Sequence, residues 1–236
     1  MFLADDCVYA NFVATLDGVV SIPPMPSSNV FVAGDSDADR FLMGLLRAYA
    51  VLIGAGVLRA SPRGTWRAEG IYPPLADAFE ELRHRLGLAP APEVAVLTGS
   101  GSIDPDHPLL TSGALVLTGT PAADRLRGAL PEATTVVALA DGPTIDAVRV
   151  VDALRERGHR RILCEAGRTF GALLEARLVD ELFLTSSPLL VGDGGPGSRY
   201  SLVEGADLTP TGTRARLLSV RRQGSHLFTR HTLRVG

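Results

Sequence analysis

The chain has 236 residues, of which 46% are hydrophobic and 21% charged, with a formal net charge of -3. That balance suits one α/β domain and excludes global disorder. With no lysine- or arginine-rich block and no apolar run of roughly 18–20 residues, it gives no reason to expect nucleic acid or a membrane as partner.

The acidic start, Met1 to Asp6, lacks the basic opening of a signal peptide, so a cytoplasmic location is expected. Cys7 and Cys164 each sit in an apolar run and are expected as buried free thiols. The first strand pattern, Val8 to Thr15, runs into an Asp17-Gly18 turn. Asn11, Thr15 and Asp17 either serve that turn or, if buried at a strand end, need a partner such as a ligand. Ile22 to Ser28 reads as a Pro-rich loop, Asp37 to Tyr49 as a helix, and Val51 to Gly54 as a strand. Gly54-Ala55-Gly56 opens like a dinucleotide fingerprint but has Arg59 at its sixth place. Ala60 to Pro74 is a long loop and Leu75 to Leu86 a helix. The strand Val94 to Thr98 ends in Gly99-Ser100-Gly101-Ser102, which suits an adenosine-side phosphate or a plain turn. Then follow strand Leu115 to Thr118, helix Ala122 to Leu130, strand Val136 to Leu139 and helix Asp146 to Arg157.

The next stretch is the most informative. Strand Ile162 to Glu165 ends in an acid, a Gly167 turn follows, and a helix runs from Thr169, its expected N-cap, to Arg177. A helix starting at a strand's carboxyl end aims free N–H groups at one point, which suits phosphate. Glu165 would stand at the lip where open α/β sheets bind ligands. Strand Leu182 to Ser186 and a loop at Gly192 to Gly197 come next. Two strand patterns, Arg216 to Arg222 and Ser225 to Arg234, form a hairpin around Gln223-Gly224. The whole reads as one α/β domain over 1–236, with a mostly parallel central sheet, helices on both faces and a C-terminal antiparallel hairpin. The hairpin's apolar positions, Leu218, Val220, Leu227, Phe228, Leu233 and Val235, lead us to expect a homodimer. The five histidines, His84, His107, His159, His226 and His231, have no metal-ligand spacing, and no metal is expected.

Taken as an ordered set, Asn11 to Gly18, Gly54-Ala55-Gly56, Glu165-Ala166-Gly167, Val179-Asp180-Glu181-Leu182 and Ser187 to Gly192 resemble the reductase domain of bifunctional riboflavin-biosynthesis deaminase–reductases. The resemblance covers nearly the whole chain, without the deaminase half. It implies a dihydrofolate reductase-like fold, a homodimer and NADPH-dependent reduction, as in 5-amino-6-(5-phosphoribosylamino)uracil reductase, where hydride goes to a sugar imine or carbonyl carbon. By resemblance, NADPH would meet Val13, Gly54, Gly56, Val57, Ser100, Gly167, Arg168, Thr169, Phe170, Gly171, Ala172 and Leu173. Substrate would meet Asn11, Thr15, Asp17, Ser28 and Glu165, with Glu165 and Asp17 as the catalytic pair. Arg59, Arg63 and Arg67 would be available to a substrate phosphate.

The chain departs from the family pattern at Val57, where Thr is usual, at Ser61, where Asp is usual, and at Ala166, where Gly is usual. The segment Leu46 to Val51 is two residues short and lacks an Asp. These changes keep two other readings open: a reductase of a pterin or other small substrate, and a nucleotide-binding protein without turnover.

Overall fold

The computed structural model describes residues 3–23, 25–34, 36–210 and 212–234. In chain order the strands and helices are β1 (Cys7–Ala14), β2 (Val19–Ser21), α1 (Ser28–Ala33), α2 (Asp37–Leu46), β3 (Ala50–Gly54), α3 (Ala55–Ala60), α4 (Ala68–Ile71), α5 (Ala76–Arg85), β4 (Val94–Leu97), α6 (Pro108–Thr111), β5 (Leu115–Gly119), α7 (Thr120–Leu126), β6 (Thr135–Ala140), α8 (Ala147–Glu156), β7 (Arg161–Cys164), α9 (Gly167–Glu175), β8 (Glu181–Ser186), β9 (Tyr200–Ser201), β10 (Arg216–Gln223) and β11 (His226–Thr232). The expected strands and long helices are all present.

The boundaries that moved have physical causes. α2 stops at Leu46 rather than Tyr49, because the Tyr9 hydroxyl donates to the Leu46 carbonyl (2.6 Å) and Arg47 takes the cap position. α7 begins at Thr120, two residues early, with Pro121 in its first turn, where a missing N–H costs nothing. α9 begins at Gly167 and its N-cap is Ala166, not Thr169, since the Phe170 amide already donates to the Ala166 carbonyl (2.7 Å). The segment Ala60 to Pro74, read as a loop, holds α4, and α1 and α3 lie where no element was expected; each has four to six residues, too short to carry a periodic signal.

Among the described residues nine strands form one sheet in the order β10-β11-β8-β1-β7-β3-β4-β5-β6. All pairings from β8 to β6 are parallel; β11 runs antiparallel to β8, and β10 to β11. Both faces are covered, as a parallel sheet requires. Alternation along β1 divides the core. Cys7 and Tyr9 join Leu46 of α2, Leu58 of α3 and Leu126 of α7 on one face. Val8 and Ala10 join Val150 and Leu154 of α8 and Phe170 and Leu173 of α9 on the other. The chain winds outward from β3 to β6, then returns to insert β7 between β3 and β1 and to place β8 beyond β1. That reversal opens a crevice at the carboxyl ends of β1, β7 and β3, the place where such sheets bind ligands.

Cys7 and Cys164 are free and buried, and burial pushes both thiols up to about 12. Among the described residues no helix is long and apolar enough to cross a membrane. In the hairpin Leu218, Val220 and Leu227 are exposed, whereas Leu233 packs toward the α8–α9 core; Val235 lies outside the described residues.

At the opposite end of the sheet, Glu93 accepts from Arg157 Nη2 (2.5 Å) and Nε (3.0 Å) and contacts His159 Nε2 at 2.6 Å. The Arg157 hydrogen bonds, more than the His159 contact, hold the Glu93 carboxyl below its usual 4.5. A lowered folded value means the clasp stabilises fully above the ordinary carboxylate range and is lost as pH falls through the folded value. Glu93→Gln is therefore expected to lower the melting temperature near neutral pH and to match wild type in acid well below pH 4.5. Arg157 is 39% exposed, so the difference at neutral pH should be about 1 kcal/mol or less. A gap that stays constant down to strong acid would remove Glu93 as its source.

Candidate active site

Two glycine turns meet at the crevice. A Cβ built on Gly54 would sit 3.7 Å from Thr169 Oγ1 and 3.8 Å from the Ala166 methyl, so the β3–α3 and β7–α9 turns touch. On Gly56 its nearest neighbour would be Arg59 Nη2 at 3.9 Å, and on Gly167 nothing would come nearer than 3.8 Å. The fold itself does not require glycine at these three positions. Beside them lies the first turn of α9, whose leading N–H groups lack intrahelical partners. This cradle fits a pyrophosphate.

The rest of the expected cofactor set divides. Arg168 and Ala172 are exposed and Thr169 half-buried, beside the turn. Phe170, Gly171 and Leu173 lie on the core side of α9. Phe170 packs on Phe12 with ring centroids 5.1 Å apart, and Leu173 is fully buried. Gly171 is a packing glycine: a Cβ there would be 2.5 Å from the Glu204 carbonyl oxygen. Val13 is buried with Val19, Ile22 and Val32, and Val57 packs half-buried against the α2-face core. Ser100 lies on the β4 side. Its hydroxyl accepts from the Ser102 amide (3.2 Å), and its carbonyl accepts from Arg125 (2.8 Å). Arg59 donates to the Ser102 carbonyl (3.0 Å), so it braces the Ser100 turn. The loop carrying Arg63 and Arg67 is pinned by Trp66, which is buried at φ 54°.

The polar half of the crevice lies on the α2 face. Pairing of Ala10 and Leu52 with Cys164 places Asn11, Glu165 and Ile53 in the next row. Arg47, just past α2, grips Glu165 with both arms of its guanidinium: Nε lies 3.0 Å from each oxygen and Nη2 2.6 Å from Oε2. The two side chains are 11% and 9% exposed. Arg83 fixes the same corner by donating to the Ala48 carbonyl (2.5 Å). Arg47 is absent from the expected site set. Its sequence signal is an arginine at a helix end just before the strand that carries the glycine turn.

Two polar atoms near this row, Asn11 Oδ1 and Ser187 Oγ, are buried without a hydrogen-bond partner among the described residues. Asp39 is 3% exposed. Burial pushes its carboxyl above the usual range; the Thr185 hydroxyl, His226 and Arg40 oppose that, and Glu165 adds to it.

Asp17, Thr15 and Ser28 are bonded within the chain. Thr15 donates to Asp17 Oδ1 (2.5 Å) and accepts from the Val19 amide (2.9 Å). Asp17 Oδ2 accepts from the amides of Val191 (3.1 Å) and Gly192 (2.7 Å). The Thr15 hydroxyl and then the Gly192 amide hold the Asp17 carboxyl below its usual value. Ser28 Oγ accepts from the Ile22 amide (3.0 Å). These side chains staple the β1–β2 turn, the 189–192 loop and α1. Both Asp17 oxygens thus accept hydrogen bonds within the chain.

The family model of the RibD C-terminal domain matches residues 6–228. The chain belongs to that family. Membership in this reductase-domain family implies an oxidoreductase. No curated protein matches the sequence significantly. A pyrimidine reductase-like protein of Corynebacterium diphtheriae superposes with a TM-score of 0.75 at 20% identity, over 98% of this chain and 93% of that one. The diaminohydroxyphosphoribosylaminopyrimidine deaminase/reductase of Thermotoga maritima gives 0.68 at 17% identity, over 97% of this chain and 56% of that one. The riboflavin biosynthesis reductase of Saccharomyces cerevisiae gives 0.63 at 12%, over 99% and 92%. At these identities the likeness carries the fold alone, the α/β domain with a mostly parallel sheet and a C-terminal antiparallel hairpin expected from the sequence.

Proposed function

We propose that this RibD C-terminal domain protein is an NADPH-dependent reductase of a ribosylaminopyrimidine, acting on the sugar imine or carbonyl carbon. The observation that carries the reading is the contact between the Gly54 and Ala166–Thr169 turns, directly beside a buried Arg47–Glu165 pair. NADPH, when bound, supplies the hydride. Gly54, Gly56, Gly167 and the first turn of α9 hold its pyrophosphate, and the Ser100 turn lies to its adenosine side. Arg47 fixes the Glu165 carboxyl at the lip, where it orients hydroxyl or amine groups of the substrate. The exposed Leu218, Val220 and Leu227 of the hairpin are the face on which a second copy sits in a homodimer.

Nicotinamide fluorescence during titration with NADPH and with NADH tests the cofactor half. Tight NADPH binding with weak NADH binding is the expected result, followed by oxidation of bound NADPH when a phosphoribosylaminopyrimidine is added. Absence of binding by either nucleotide would sink the reading. Val57, half-buried where the family has a hydroxyl, favours one alternative, a nucleotide-binding protein without turnover. That alternative ends with the first substrate that oxidises the bound cofactor.

A further inference from the structure

Asp17 stands in the β1–β2 turn, and its carboxylate joins three segments. Oδ1 accepts from the Thr15 hydroxyl just past β1, and Oδ2 accepts from the amides of Val191 (3.1 Å) and Gly192 (2.7 Å). The Thr15 hydroxyl in turn accepts from the Val19 amide at the start of β2 (2.9 Å). Backbone bonds run alongside: the Leu16 amide donates to the Leu189 carbonyl and the Ser187 amide to the Ala14 carbonyl, both at 2.8 Å. Val191 packs on the cluster of Val13, Val19 and Ile22. Beyond this fastening the chain changes character. Gly192, Gly194, Gly195 and Gly197 all have φ between 62° and 87°, the region that favours glycine. Among the described residues the hydrogen bonds within 193–199 are local: the Gly195 amide donates to Asp193, the Ser198 amide to the Gly195 carbonyl, and Arg199 to the Ser198 carbonyl. A mostly exposed stretch bonded only to itself opens at little cost.

The chain docks again at β9. Tyr200 and Ser201 pair with Ser21 and Val19 of β2, apart from the main sheet. The Ser201 amide donates to the Glu204 carboxylate (2.8 Å). The carbonyl oxygens of Ser201 and Leu202 and the Glu204 side chain lie 3.8 to 3.9 Å from where a Cβ on Gly167 would stand. The 200–204 segment is therefore one wall of the glycine cradle. It is held directly against α9 and, through β2, by the turn that Asp17 fastens. A carboxylate accepting from backbone amides makes the stronger kind of hydrogen bond, which suits a latch that seldom opens, and the glycine-rich stretch beside it is the hinge. We infer that Asp17 is a positioning residue for the cofactor: by latching the 191–192 backbone to the β1–β2 turn it holds the β2–β9 strap and the 200–204 wall against the Gly167 turn, so that bound nucleotide leaves when the latch opens. The inference rests on the proposed reductase site and gives Asp17 a part there without contact to the substrate.

Two measurements on the whole protein test it: amide hydrogen exchange without nucleotide, and the rate at which bound NADPH dissociates. In Asp17→Ala, exchange within 189–192 and within 199–204 is expected to quicken by about tenfold or more, and NADPH dissociation to quicken by about tenfold, with a smaller change in the association rate. Asp17→Asn keeps one oxygen to accept from the Val191 and Gly192 amides and is expected to restore most of both. Thr15→Val, which removes the hydroxyl that orients the carboxylate, is expected to shift both in the same direction by about threefold, and carries the test should Asp17→Ala not fold. Exchange that quickens at 189–192 alone, with 199–204 and NADPH dissociation as in wild type, would reduce Asp17 to a local staple and overturn the inference. Loss of turnover in Asp17→Ala with exchange and NADPH dissociation unchanged would overturn it too, and place Asp17 on the substrate. Should wild type bind neither NADPH nor NADH, the reductase reading falls, and the latch stands or falls on nucleotide-free exchange at 199–204.

Discussion

Arg47→Met should cost about 3–5 kcal/mol of folding stability, because it strips a buried carboxylate of its bidentate partner. Glu165 is 9% exposed on its side chain, and three of its contacts, at 2.6 to 3.0 Å, come from the one guanidinium. The methionine fills the volume but leaves the charge behind. The double variant Arg47→Met, Glu165→Gln removes both charges and is expected to recover a large part of the loss. Urea unfolding of wild type, both single variants and the double variant reads the coupling directly. A loss below about 1 kcal/mol in Arg47→Met, adding simply to the Glu165→Gln effect, would show that the pair is no more than a surface-grade contact. Arg47→Lys is the informative intermediate. It keeps the charge but not the planar fork, so the carboxylate loses its fixed orientation. If Glu165 orients substrate, turnover should fall in that variant with NADPH affinity unchanged.

The expected architecture was legible because β1, β3, β4, β5 and β7 are nearly continuous apolar runs, the mark of strands buried on both faces. The late glycine turn was legible for the same kind of reason: a strand, an acid, a glycine and a helical period follow one another over eleven residues, 161–171. Local pattern does not reveal long-range pairing. Arg47 and Glu165 are 118 residues apart, and nothing near either one names the other. Asp39 reads from sequence as an ordinary polar residue in the first turn of a helix, where acids are common for dipole reasons. Only the turn of α2 over β1 and β8 reveals that it faces inward. Asp17 and Ser28 show the same limit from the other side. A turn aspartate and a loop serine do not name their partners in sequence, and here they accept from backbone amides of segments up to 175 residues away.

The glycines give the sharpest separation between folding and binding. Gly54→Ala is expected to fold normally, since the N-cap φ of -96° suits any residue and the new methyl would meet nothing nearer than 3.7 Å. It should nevertheless weaken NADPH by about tenfold or more, because the methyl projects into the space beside the α9 turn, where a rigid site tolerates little added volume. Gly171→Ala should do the reverse. Its methyl would sit 2.5 Å from the Glu204 carbonyl and 3.1 Å from the Ala206 methyl, so the 201–206 segment or α9 must shift. Overpacking against backbone is expected to cost about 1–3 kcal/mol, more than the roughly 1 kcal/mol that alanine gains in helix propensity. The net loss should lower the melting temperature by a few degrees. NADPH affinity in the folded fraction should change far less than in Gly54→Ala. If instead Gly171→Ala folds as wild type and loses NADPH, the cofactor reaches the core-facing side of α9 and the cradle is wrongly placed. If Gly54→Ala binds NADPH as wild type does, the pyrophosphate does not pass between the two turns. Thermal melts and fluorescence titrations of the two variants side by side therefore decide which side of α9 serves the ligand and which serves the fold.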